Sequence, residues 1–116
     1  MGYKRGNIYL ADFNPPRGTE PGKIRPCLVM QSNLLNDEDH PSTTVIPLTA
    51  QVLKEAAPLR FRINARDQLE RNSDLIMDQT RSIDNERFVS GTLTTLTKQE
   101  LLMVEEYWKI VLGLDE

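Results

Sequence analysis

The hydrophobic period changes only once along this chain, and that change constrains its architecture more than any other feature. Six or seven short segments before Leu96 carry β-forming residues in alternation or in compact apolar runs, and only the segment after Thr97 follows a helical period. Asn7–Phe13 alternates Ile8, Leu10 and Asp12 with Tyr9, Ala11 and Phe13. Leu59–Asn64 alternates most clearly, with Leu59, Phe61 and Ile63 on an expected core face and Arg60 and Arg62 on a wet one. Cys27–Gln31 and Thr43–Thr49 read as buried strands, with Pro47 marking an edge or a bulge. Asp74–Asp78, Thr80–Asp84 and Val89–Thr94 are shorter candidates. Residues 14–24 hold three prolines and two glycines with almost no hydrophobic residue, too long and polar for a tight hairpin. Ser32–Ser42 reads as a polar connection with a helical turn, and Asn64–Ser73 as a polar excursion.

In the last segment Leu101, Val104, Trp108 and Val111 recur at helical spacing, which assigns Trp108 to the core rather than to a base-stacking platform. Thr97 and Glu100 have capping-box spacing, Leu96 and Leu101 stand at staple positions, and Gly113 suits the C-terminal end. Strands followed by one terminal helix, without repeated β-α alternation, predict a mostly β fold: a small antiparallel barrel closed by a helix. At 116 residues the chain is expected to be one domain, 1–116.

Composition excludes several classes. Charged residues make up 27 % of the chain with both signs interspersed, so a wholly disordered chain is not expected. No apolar run approaches the roughly 18 residues of a membrane span, and no signal peptide is read at the N-terminus. One cysteine, Cys27, and one histidine, His40, provide neither an internal disulfide nor a structural zinc set, and a reducing cytoplasm is the default. Cys27 begins an apolar strand and His40 lies in an acidic turn, so neither reads as catalytic. The net charge of −3 is unevenly spread: residues 1–31 sum to +3, 32–58 to −3, 59–88 to zero and 89–116 to −3. Arg17 and Arg25 fall in one expected loop of the positive quarter.

No phosphate loop, dinucleotide fingerprint, nucleophile elbow or zinc-protease motif is present. What remains near strand ends and loops is Arg17, Thr19, Glu20, Arg25, Thr49, Gln51, Asp78, Gln79 and Arg81. Arginine presents a planar fork to phosphate oxygens, and a hydroxyl adds a donor to a phosphorane-like transition state. RNA carries its own nucleophile, the 2′-OH, so its cleavage needs a base, charge stabilisation and a proton for the leaving oxygen. From these residues alone the reading stops at a phosphate-binding surface.

The stretch Arg5-Gly6-Asn7-Ile8-Tyr9-Leu10-Ala11-Asp12-Phe13-Asn14-Pro15, then Gly18-Thr19-Glu20, Gly22 and Arg25-Pro26-Cys27-Leu28-Val29, closely resembles the MazF/PemK/Kid family of toxin–antitoxin ribonucleases. Leu48-Thr49, the run 66–73 (RDQLERNS) and the run 78–84 (DQTRSID) continue the match in order. The resemblance implies an SH3-like barrel in a homodimer, a MazE-like antitoxin partner, and sequence-specific cleavage of single-stranded RNA without metal or cofactor, giving a 2′,3′-cyclic phosphate and a 5′-hydroxyl. It places the catalytic roles on Arg25, which would stabilise the scissile phosphate, and Thr49, which would donate to a nonbridging oxygen. Proton transfer falls either to Arg25 itself or, because a guanidinium is a poor base, to Glu20 or Asp78 as the group that takes the 2′-OH proton, and the sequence does not choose between them. Arg17, Gly18, Thr19, Gln51, Gln79 and Arg81 are the implied RNA contacts, with the 14–24 loop bordering the groove. Ile76 stands where the Kid-like branch has an arginine, which favours the MazF-like arrangement around Arg25 and Thr49. Two alternatives are a noncatalytic inhibitor of DNA gyrase similar to CcdB and a plain SH3-like interaction module. Against the first, the chain ends Leu112-Gly113-Leu114-Asp115-Glu116 without the Trp-Gly-Ile ending of the gyrase poison.

Overall fold

The alternating segments pair into one antiparallel sheet, described by a computed structural model for residues 2–116. β1 (Asn7–Asp12), β2 (Ile24–Val29), β3 (Ser42–Thr49), β4 (Arg60–Ile63), β5 (Ser73–Ile76), β6 (Arg81–Asp84) and β7 (Phe88–Thr95) follow in sequence, with a helical turn α1 (Asn33–Asn36) and a terminal helix α2 (Lys98–Leu112). The sheet order is β4-β5-β3-β2-β1-β7, and β6 pairs with the first half of β3. β4 and β7 do not pair, so the barrel is open at that seam. The 64–73 excursion crosses the opening: Gln68 N–H donates to the Leu93 carbonyl at 3.0 Å, and Arg66 Nη2 donates to that of Thr95 at 3.1 Å.

One core lies between the sheet and α2, built on Ile8, Leu28, Ile46, Leu48, Ile63 and Leu75 with Val104 from the helix. A second, around Phe13, Cys27, Val29, Val45 and Ile83, fills the opposite face. The expected helix is present with both capping-box bonds between Thr97 and Glu100 and with Gly113 left-handed at φ 69°. Trp108 packs against the core and donates its indole N–H to Thr80 Oγ1 at 2.9 Å. Burial pushes the Cys27 thiol up to about 12, which leaves it unreactive.

Four local expectations change. β2 begins at Ile24, not at Cys27, because pairing Asp12 with Ile24 and Ala11 with Arg25 needs backbone groups and no apolar side chains, so Arg25 is a strand residue. β5 stops at Ile76, and Met77–Gln79 form a 3-10 turn packed against α2. Leu59 is exposed, outside β4, and Arg60 and Arg62 are not simply wet: both bond the buried Asp74. Pro47 is in a central strand, where it is tolerated for a definable reason. Met30 N–H donates to Thr44 O, so the even-numbered residues of β3 bond β2, and the odd ones face the other side. There β6 pairs as far as Val45 and β5 begins at Leu48, so the nitrogen of Pro47 meets the gap between them.

Candidate active site

Proline also explains how the candidate arginine is held. Continuing the β2–β3 register past Cys27–Pro47 would pair residue 26 with Leu48, but Pro26 has no N–H to donate. The Leu48 carbonyl instead accepts from Arg25 Nη1 at 3.1 Å, while Arg25 Nε donates to the Gly22 carbonyl at 2.7 Å. The guanidinium is thereby fixed by two neutral acceptors at the end of the ladder. Among the described residues it has no carboxylate partner and its Nη2 makes no hydrogen bond. Burial lowers its pKa from the ordinary arginine value, as expected for a cation desolvated without a counter-ion.

Thr49 ends β3 in the position facing Arg25 in the continued register. Its Oγ1 accepts from the Gln51 N–H at 3.2 Å, which leaves the hydroxyl hydrogen free to be donated elsewhere. Arg25, Thr49 and Gln51 line a cleft of about 590 Å³ whose other wall carries Gln68, Glu70 and Arg71 from the excursion. The combination is a fixed cation, a hydroxyl donor and polar side chains able to hydrogen-bond a base, and it suits a phosphodiester.

The remaining expected residues sit apart from this cleft. Arg17, Gly18, Thr19 and Glu20 form an exposed turn, closed by the Glu20 N–H to Arg17 O bond at 2.9 Å. The turn rises from a pinned base, where Arg87 Nη1 donates to the carbonyls of Asp12 and Asn14. Asp78, exposed, and Gln79, half-buried, lie on the 3-10 turn beside α2. Arg81 pairs with Val45, its guanidinium 5.8 Å from the Phe13 ring centre, and its Nη1 is sealed from solvent without a hydrogen-bond partner. None of these seven lines the cleft. Sequence reasoning gave no site role to Gln68, Glu70 and Arg71, although the run 66–73 belonged to the family resemblance and read as a polar excursion, and it gave none to Asp74, an acid inside β5.

The family described as PemK-like, MazF-like toxin of type II toxin-antitoxin system matches residues 4–112. This chain belongs to that family. It is 37 % identical to Endoribonuclease EndoA of Bacillus subtilis over 96 % of this chain and 95 % of that one. Among solved structures it is similar to MazF of Deinococcus radiodurans, with a TM-score of 0.80 at 21 % identity over 97 % of this chain and 98 % of that one. A MazE-MazF structure from the same organism gives 0.75 at 21 % identity, covering 98 % of each chain. The MazF-like toxin fold is thus shared over nearly the full length. No helix among the described residues is long and apolar enough to cross a membrane.

Proposed function

We propose that this MazF-like chain is a toxin endoribonuclease that cuts single-stranded RNA at a short sequence, without a metal, in the cytoplasm. The observation that carries the reading is Arg25: a guanidinium clamped by two backbone carbonyls, uncompensated by any carboxylate among the described residues, beside the free hydroxyl hydrogen of Thr49. The ribose 2′-oxygen attacks phosphorus and the P–O5′ bond breaks. The products are a 2′,3′-cyclic phosphate and a 5′-hydroxyl. Arg25 stabilises the charge that builds on the phosphorane oxygens, and Thr49 donates to a nonbridging oxygen. The 2′-OH proton passes to a carboxylate, Glu70 by its place in the cleft wall, with Glu20 and Asp78, which stand outside the cleft, as the alternatives from sequence, and the leaving 5′-oxygen takes up a proton from that acid or from solvent. The exposed turn with Arg17, Gly18 and Thr19, together with Gln51, Gln79 and Arg81, supplies RNA contacts.

The family description and EndoA's name support this activity, and the MazE-MazF structure of the Deinococcus relative supports an antitoxin partner. The partner would be a MazE-like protein whose acidic, flexible segment orders across the cleft and competes with RNA for Arg17 and Arg25. The toxin acts as a homodimer. The test is to incubate the chain and its Arg25→Ala variant with a long unstructured RNA in EDTA and to map the ends. Sequence-selective cuts bearing cyclic phosphate, absent in the variant, are expected. Intact RNA with a folded wild-type chain overturns the reading and redirects the search to protein targets such as gyrase.

A further inference from the structure

Asp74 is the least expected residue of the sheet. Its side chain is 1 % exposed, yet it is a carboxylate, next in sequence to Leu75 of the core. Register places it beside the candidate site: Thr49 of β3 stands opposite Asp74 of β5, and Asp74 stands opposite Arg62 of β4. Residues opposite each other in an antiparallel pair share a face, so Arg25, Thr49, Asp74 and Arg62 form one row across four strands.

The row grips the segment that leaves Thr49. Asp74 Oδ2 accepts from the Leu53 N–H at 2.8 Å, and Arg62 Nε donates to Oδ1 at 2.6 Å. Arg62 Nη2 also donates to the Leu53 carbonyl at 3.2 Å. Arg60 Nη1 reaches both Asp74 Oδ2, at 3.4 Å, and the Gln51 carbonyl, at 3.2 Å. The Gln51 N–H then donates to Thr49 Oγ1. Every polar backbone group of Gln51 and Leu53 is therefore tied either to this cluster or to the threonine. Packing does not ask for such an arrangement, because an apolar residue at 74 would fill the strand without desolvating a charge. What the cluster supplies is geometry.

We infer that Asp74, acting through Arg62, Arg60 and the 51–53 backbone, is a positioning residue for Thr49, holding the Gln51 N–H on the threonine oxygen so that the hydroxyl hydrogen is left to the cleft. This rests on the endoribonuclease reading above. A misplaced donor of this kind lowers turnover rather than affinity.

The experiment is a double-mutant cycle in single-turnover and steady-state cleavage of a single-site oligoribonucleotide, comparing wild type, Asp74→Asn, Thr49→Ala and the double variant, each checked for folding by circular dichroism. Asp74→Asn is expected to lower kcat about tenfold to a hundredfold with KM nearly unchanged. In the Thr49→Ala background the same substitution should cost nothing further, because its effect passes through the hydroxyl. A purely structural role predicts losses that multiply. Multiplying losses, a rise in KM alone, or wild-type turnover in Asp74→Asn overturns the inference. If Asp74→Asn fails to fold, Arg62→Gln replaces it in the cycle with the same expected non-additivity, since Asp74 then keeps Leu53 and Arg60. A wild-type chain that leaves the oligonucleotide intact overturns the parent reading as well, whereas active wild type with multiplying losses overturns this inference alone.

Discussion

Arg25 and Arg66 are both half-buried arginines making several hydrogen bonds, and they serve opposite ends. Arg66 meets both Glu100 oxygens at 2.8 Å and the Thr95 carbonyl, which ties the excursion to the first turn of α2. Its charge is spent inside the protein. The hydrogen bonds that Arg66 donates to Glu100 raise its pKa against the desolvation that lowers it, and the charges of Glu100 and Asp67 add to the rise. Among the described residues Arg25 meets only carbonyls, and burial moves its pKa the other way. The number of hydrogen bonds therefore does not mark the arginine available to a ligand. The absence of an opposing carboxylate does.

The sharpest way to break this comparison is to truncate each arginine. Arg25→Ala should lower RNA cleavage by about a hundredfold to a thousandfold, as removal of a transition-state donor does, with little change in the urea midpoint. Arg25→Lys, which keeps the charge without the fork, should recover only part of the rate. Equal stability loss in the Arg25 and Arg66 variants would remove the distinction. Arg66→Ala should instead destabilise the fold by about 1–2 kcal/mol, a figure discounted for the partial exposure of the pair, and lower thermal unfolding by several degrees, while cleavage falls far less than in Arg25→Ala.

The smallest effect should be the acid one. Glu100 is held below the usual carboxylate range by the Arg66 hydrogen bond, against desolvation and with help from the Thr97 N–H. For Asp74, burial alone would raise the pKa, but Arg62, the Leu53 N–H and both guanidinium charges bring it below the usual range. Groups depressed on folding stabilise fully above the unfolded carboxylate pKa of about 4 and lose that contribution as pH falls through the folded value. Urea unfolding should therefore be flat between about pH 7 and 5 and weaken below about 4. Glu100→Gln, which keeps a capping residue at that position, should shallow the acid slope.

Much of the fold was legible because its signals are local. The alternation of Asn7–Asp12, the apolar run in β3, the Thr97–Glu100 cap and Gly113 depend on residues within a turn or two of one another. Arg25 and Thr49 entered as candidates through family resemblance, and both line the cleft. The cleft's second wall was not, because Gln68, Glu70 and Arg71 reach the cleft only when the excursion bridges the open seam. Nor was the role of the β4 arginines: alternation assigns Arg60 and Arg62 to the face opposite the core but cannot say what stands across from them.

By itself the sequence determined the strand and helix periods, the caps, the exclusion of cofactor motifs, and the proline that ends the β2–β3 ladder. Only the tertiary structure decided that Pro26 hands the Leu48 carbonyl to Arg25, that Arg66 is neutralised while Arg25 is not, and that a buried Asp74 lies beside Thr49. The reason is register. Which charges face each other is set by pairing between strands distant in the chain, and local propensity carries no record of that pairing.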